Sequence, residues 1–323
     1  MSSTSPARRL RVAVAGPLTQ SNREEVEAAA PDAEFSFAER TADLGASLAE
    51  ADVLASPPAE FTPDIVRAAT RAKLIHLFSA GVDEALSPEL VAHPAVLTCS
   101  KGNGAVPLAE HAMMMMLMLN RNATQWVKAQ DEGRWLPHRH GELNGLTVGL
   151  VGLGNSGRDL AAKAKAFHME VLGVHRSSSA VPMVDEVLPM SALHELLSRS
   201  DFVVVSVPRT PQTIGMFGDA EFRAMKDTGH FICYSRGGIA DDASLLRALR
   251  EGWIAGAGID AHSEEPLPPS SPFWTAPRTI LTPHDGANTH ATWQRGVDYF
   301  VENLVKFGSG RELVNVVDKA LGY

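Results

Sequence analysis

Three short polar segments follow apolar runs and hold, between them, side chains suited to reducing a carbonyl: residues 234–238 (YSRGG), 260–267 (DAHSEEPL) and 281–284 (LTPH). Arg236 offers a planar fork of donors that matches a carboxylate and can polarise the carbonyl beside it. His284 suits the transfer of a proton to the developing alkoxide, with Glu265 orienting its imidazole. No side chain supplies a hydride, so such chemistry calls for a nicotinamide. Together the three residues read as the protein's share of a 2-keto acid reduction.

A place for the cofactor is written in Gly152-Leu153-Gly154-Asn155-Ser156-Gly157. A lone G-x-G-x-x-G is a weak signal, but here it lies between an apolar run, TVGLV, and a helical one, RDLAAKAKAF. In that setting Gly152 permits the tight turn, Gly154 lets the backbone approach a pyrophosphate, and Gly157 lets helix and strand sit close. Asn155 and Ser156 open the helix, whose first N–H groups face the phosphates. About 20 residues on, where an NAD site places a carboxylate for the ribose hydroxyl, the chain has His175, Arg176 and Ser177. A guanidinium there favours a 2′-phosphate, so NADP(H) is the expected cofactor, held by Arg176 and Ser177 with His175 as a third contact. A solvated Arg176 and use of NAD(H) as well is the alternative left open.

These residues need parallel strands to carry them. The chain alternates short β-branched runs with helical stretches, the pattern of parallel sheets covered on both faces. Strands are expected at residues 11–15, 51–55, 74–78 and 96–99, then at 147–151, 171–175, 202–207, 231–234, 256–260 and 279–281. Helices fit residues 21–30, 62–72, 155–167, 190–198, 219–225, 241–250 and 291–307, and one long helix fits 107–132. The three polar segments then fall at the carboxyl ends of strands, where open α/β sheets bind ligands.

The 323 residues suggest two domains. A net charge of -9 with no clustered basic face argues against a nucleic-acid partner. Cys99 and Cys233, too few for a disulfide framework, fit a reducing compartment. The N-terminal residues lack the apolar centre of a signal peptide, and the apolar run 112–119 (AMMMMLML) is far short of a bilayer span. A cytoplasmic protein with no membrane partner is expected. Histidines such as His76, His138 and His140 lack metal-ligand spacing, so no metal is expected.

Over nearly its whole length the sequence resembles the D-isomer-specific 2-hydroxyacid dehydrogenases. The shared signatures are GLGNSG, TPQT after FVVVSVP, EFRAMK, SRGG, GAGIDAHSEEPLP, SPFW and LTPH, in that order. The resemblance implies an α/β fold of two doubly wound parallel-sheet domains, a Rossmann cofactor domain (106–288) inserted into a flavodoxin-like substrate domain (1–105), with 289–323 returning to the latter. It also implies that Arg236, Glu265 and His284 match the family's catalytic Arg, Glu and His. Asp260 would meet the nicotinamide carboxamide, Pro208 and Thr213 would line the cofactor, and Ser235 and Arg236 would approach the nicotinamide. Ala80 and Gly81 would hold the substrate carboxylate through their N–H groups. The long helix would form part of a homodimer interface, with Met113 to Met116 as adaptable packing there or in an isolated core, and Trp135 could reach the active-site mouth or pack in that interface.

The expected activity is reduction of a small 2-keto acid of the glyoxylate or hydroxypyruvate type. The segments FSAGVDEA and ASPPAEF add no cations beyond Arg71 and Lys73, which argues against a phosphorylated substrate. Two other readings stay open: a dehydrogenase of a formate- or phosphite-like anion, and a non-catalytic NAD(H)-sensing corepressor. Three departures from the family pattern stand out: Cys233 replaces an Asn, His168 replaces a Gly, and Asp285 follows the catalytic His. Cys233 reads as a small buried residue, His168 as a helix-end residue and Asp285 as solvent-facing.

Overall fold

The computed structural model describes residues 8–176 and 179–322. The chain divides into two compact units, one running to Asn103 and resuming at Thr289, the other Gly104–Asn288.

The first unit is built on β1 (Arg11–Ala15), β2 (Glu34–Ala38), β3 (Val53–Ser56), β4 (Leu74–Leu77) and β5 (Val96–Cys99). They pair in parallel in the order β2-β1-β3-β4-β5, the flavodoxin-like winding. Alternate side chains supply two cores. Ala13, Ala15, Leu54, Ile75 and Leu77 face one side, and Val12, Val14, Val53 and Leu74 face the other. The second side is completed from far along the chain, because the helix His290–Gly308 brings Val297, Phe300 and Leu304 to it, all fully buried.

The second unit holds β6 (Thr147–Val151), β7 (Glu170–His175), β8 (Glu186–Pro189), β9 (Phe202–Val205), β10 (His230–Cys233), β11 (Gly256–Ile259) and β12 (Thr279–Leu281). The parallel order β12-β11-β10-β9-β6-β7-β8 is a Rossmann sheet with one further strand at an edge. Here too the faces alternate, Phe202 and Val204 to one core, Val203 and Val205 to the other. The unit's two ends meet, since a Cβ built on Gly104 would lie 3.0 Å from the Cβ of Ala287.

Two strands escaped the pattern reading. β2 (EFSFA) is an edge strand with no fully buried residue, and β8 is a four-residue edge strand ending in Pro. The expected helix 107–132 is two helices, Ala105–Asn120 and Ala123–Asp131. Between them Asn122 takes φ 51, the left-handed conformation that Asn tolerates and that ends a helical run. The stretch 62–72 is helical only over Pro63–Ala68, capped at Thr62, whose hydroxyl accepts from the Ile65 N–H. Of the methionine run, Met113, Met115 and Met116 are core residues while Met114 is exposed; Met115 lies over β11 so closely that a Cβ on Gly258 would meet its Sδ at 2.7 Å.

Candidate active site

β10, β11 and β12 are neighbours in a parallel sheet, so their carboxyl ends open side by side. Arg236 lies in the loop after β10, Glu265 after β11 and His284 after β12. Gly237 runs so close beneath the β11 loop that a Cβ there would sit 1.9 Å from the His262 carbonyl. Glu265 Oε2 and His284 Nδ1 are 2.8 Å apart, and both side chains are about one-third exposed. The carboxylate can only accept, so the imidazole donates from Nδ1 and Nε2 is left to face a substrate. The other Glu265 oxygen accepts from the His262 N–H at 2.7 Å. Arg236 donates from Nη1 to the Ser235 carbonyl at 2.8 Å.

His284 has φ 54, uncommon for a residue with a side chain and kept only where the surroundings fix it. The fixing is visible. Asp260, at the end of β11, is fully buried and accepts through Oδ1 from the Thr282 hydroxyl (2.6 Å) and the Asp285 N–H (3.0 Å), and through Oδ2 from the Gly286 N–H (3.1 Å). Two histidines hold Thr282. His111 Nε2 is 3.0 Å from the Thr282 hydroxyl, and His262 Nε2 is 2.9 Å from the Thr282 carbonyl oxygen. The Asp260 carboxylate holds the turn that presents His284, a task beside the nicotinamide contact that the resemblance implies for it. Neither His111 nor His262 was singled out as a site residue in the sequence. Cys233 is buried beneath Arg236, its thiol 3.6 Å from the Arg236 carbonyl, and burial pushes its pKa up, so it is an inert thiol. Asp285 is exposed.

The cofactor candidates form the opposite half of the same sheet edge. Gly152 turns out of β6 with φ 106, and a Cβ on Gly157 would lie 2.3 Å from the Gly152 carbonyl oxygen. No side chain caps the helix Asn155–Ala166, and the space a Cβ would fill at Gly154 is empty to 4 Å. An uncapped 12-residue helix behind an open glycine is a cradle that fits a pyrophosphate. Asn155 is exposed and Ser156 half-buried at that N-terminus. β7 lies next to β6, with Val151 opposite Val174, so His175 and Arg176 end beside the cradle. Ser177 lies outside the described residues. Pro208 and Thr213 sit in the loop after β9, where the Thr213 hydroxyl closes its own turn by donating to the Pro208 carbonyl at 2.7 Å. Ser235 is half-buried beside Arg236. In the first unit, Ala80 and Gly81 follow β4 in a loop tied by the Ser79 hydroxyl, which donates to the Gly81 carbonyl. Trp135 is 96% exposed, while Trp126 packs against His138 in a tilted arrangement with centroids 4.6 Å apart.

Residues 113–286 match the family described as D-isomer specific 2-hydroxyacid dehydrogenase, NAD binding domain. The chain belongs to the D-isomer specific 2-hydroxyacid dehydrogenase family. Among curated members it is 31% identical over 265 residues to a glyoxylate reductase of Korarchaeum cryptofilum, covering 79% of each chain. It is also 31% identical to a D-3-phosphoglycerate dehydrogenase of Archaeoglobus fulgidus, over 79% of this chain but only 49% of that one. Among solved structures, a family member from Aeromonas salmonicida matches with TM-score 0.87 and 28% identity, covering 97% of this dehydrogenase and all of that chain. An NADPH-dependent glyoxylate/hydroxypyruvate reductase from Sinorhizobium meliloti, in complex with NADP and sulfate, matches with TM-score 0.83 and 29% identity over 98% of this chain and all of that one. Among the described residues, no helix is long and apolar enough to cross a membrane.

Proposed function

We propose that this dehydrogenase reduces a small 2-keto acid of the glyoxylate or hydroxypyruvate class to the D-2-hydroxy acid, with NADP(H) preferred over NAD(H). The observation that carries the reading is the Glu265–His284 pair at 2.8 Å, set on loops beside Arg236 at the edge of a sheet that also holds an open phosphate cradle.

When bound, the reduced nicotinamide supplies the hydride. The protein's residues do the rest. Arg236 receives the substrate carboxylate and draws electron density from the carbonyl oxygen. His284 acts as the imidazolium: its Nδ1–H stays committed to Glu265, and its Nε2–H faces that oxygen and passes to it as the alkoxide forms, leaving the neutral Nδ1–H tautomer. Glu265 is itself held by the His262 N–H, so it fixes both the ring plane and the tautomer. By the family resemblance, the N–H groups of Ala80 and Gly81 would also bind a substrate carboxylate. In the reverse direction His284 takes the hydroxyl proton. Gly152, Gly154, Asn155, Ser156 and Gly157 would hold the pyrophosphate, and Arg176 with His175 the ribose 2′-phosphate. The relative that uses NADPH on glyoxylate and hydroxypyruvate supports this choice of cofactor and substrate. The enzyme is expected to work as a cytoplasmic homodimer.

The test is steady-state oxidation of NADPH and NADH with glyoxylate, hydroxypyruvate, pyruvate and phenylpyruvate, for wild type and His284→Ala. Wild type should turn over the small keto acids with NADPH favoured. The variant should lose about 10²–10⁴-fold in kcat, the usual worth of a general acid, while still binding NADPH. Full turnover in His284→Ala, or none in wild type despite cofactor binding, overturns the assignment.

A further inference from the structure

A carboxylate–imidazole pair works only if its two members are held in register, and Glu265 and His284 stand on different loops. One residue touches the supports of both. His262 donates its backbone N–H to Glu265 Oε1 at 2.7 Å, and its ring Nε2 lies 2.9 Å from the carbonyl oxygen of Thr282, two residues before His284. A carbonyl only accepts, so the His262 proton is on Nε2. The same threonine is gripped from its side chain. Its hydroxyl proton is used on Asp260 at 2.6 Å, so the hydroxyl oxygen accepts from His111 Nε2 at 3.0 Å. Thr282 is thus fixed at its carbonyl, its hydroxyl and its N–H, the last donating to the Ile259 carbonyl at 3.0 Å. The position that follows two residues later holds φ 54, a conformation that persists where its surroundings over-determine it.

We propose that His262 is a positioning residue of this active site. Its ring and its main chain lock the β11 loop to the end of β12, so that Glu265 meets His284 while the left-handed turn at His284 is maintained. The inference rests on the assignment of His284 as acid/base. It is chemically specific: what is needed at position 262 is a donor that reaches the Thr282 carbonyl, which Gln can supply and Phe cannot.

The test compares His262→Phe, His262→Gln and His284→Ala by keto-acid kinetics, by NADPH titration, and by amide hydrogen exchange at Asp285 and Gly286, whose N–H groups report the turn through Asp260. In His262→Phe, kcat should fall about tenfold, the loss of one hydrogen bond, and the two amides should exchange about tenfold faster. NADPH affinity should stay unchanged, because the cradle lies on β6. His262→Gln should recover kcat and exchange to within about threefold of wild type. Wild-type kcat in His262→Phe overturns the inference, as does a fall in kcat with unchanged exchange, or a Gln variant as impaired as Phe. Loss of NADPH binding in step with kcat would mark a general structural role and overturns it equally. If His284→Ala keeps its turnover, the acid/base assignment fails and takes the inference with it. If His284→Ala is inactive and His262→Phe is normal, only the inference fails.

Discussion

Acidification should destabilise the first unit through one side chain, His76 on β4. The ring is fully buried, with Phe78 and Phe300 centroids at 5.6 and 5.4 Å. Its Nδ1 lies 2.9 Å from the Thr98 hydroxyl and its Nε2 3.1 Å from the Ser100 hydroxyl. The Ser100 hydroxyl donates to the Leu77 carbonyl at 3.1 Å, so it accepts from Nε2–H, and Thr98 donates to Nδ1. A neutral imidazole is satisfied there. Burial pushes the pKa down to about 3, with only the Gly296 backbone opposing it. An unfolded chain takes up the proton near 6.5, so stability is whole above that pH and falls as pH drops from 6.5 toward 3. Between pH 7.5 and 5.0 the unfolded state gains about 1.5 units of proton-linked free energy that the native state does not match, or roughly 2 kcal/mol. Amide hydrogen exchange of β4 and β5 reads this unit by itself. The opening free energy should fall by roughly 2 kcal/mol over that range in wild type, and this drop should be missing in His76→Gln. His230, lowered to about 4 mainly by burial, belongs to the other unit and is common to both proteins. An equal drop in wild type and variant would refute the reasoning.

Two further outcomes follow from the cofactor half of the site. Gly157→Ala puts a Cβ 2.3 Å from the Gly152 carbonyl oxygen, so the cradle must spread. NADPH affinity measured by fluorescence titration should fall at least about tenfold, and an unchanged affinity would show that the turn does not hold the phosphates. Arg176→Ala should weaken NADPH by about 1–3 kcal/mol while NADH is little affected, as expected for one charged hydrogen bond to a 2′-phosphate. Equal losses for both cofactors would remove that role.

The parts of the site legible in the sequence are those whose chemistry needs a local pattern. Gly152, Gly154 and Gly157 announce themselves because a turn between a strand and a helix restricts what fits, and the Arg236, Glu265 and His284 segments because each follows an apolar strand. The sheets were legible wherever strands are buried on both faces. β2 and β8 were not, because neither offers a continuous apolar run: EFSFA alternates polar with apolar residues, and EVLP is short and ends in Pro. The break at Asn122 hides inside an otherwise helical composition. The supports of His284 were hidden for another reason. His111 and Thr282 are 171 positions apart and meet only when the helix Ala105–Asn120 folds onto the sheet, and a solitary histidine has no pattern to give it away. Asp260 was noticed for one task, and the turn it holds became visible only with the backbone N–H groups of Asp285 and Gly286 in place.

The helix His290–Gly308 carries a consequence for biogenesis. During synthesis the five strands of the first unit leave the ribosome before any of the second unit does, yet one face of their sheet, covered in part by Leu18 and Val26, is completed only when Val297, Phe300 and Leu304 arrive. Closing a flexible loop as long as residues 104–288 would cost on the order of 4–5 kcal/mol in chain entropy. A folded second unit removes most of that cost, because its own structure brings Gly104 and Ala287 together, next to where Asn103 and Thr289 join the first unit. The nascent first unit is therefore the stretch exposed to chaperones and proteases, and truncation before residue 304 strands it as a half-covered sheet. Insertion of one fold into another here makes the core of the earlier-made unit depend on residues synthesised last.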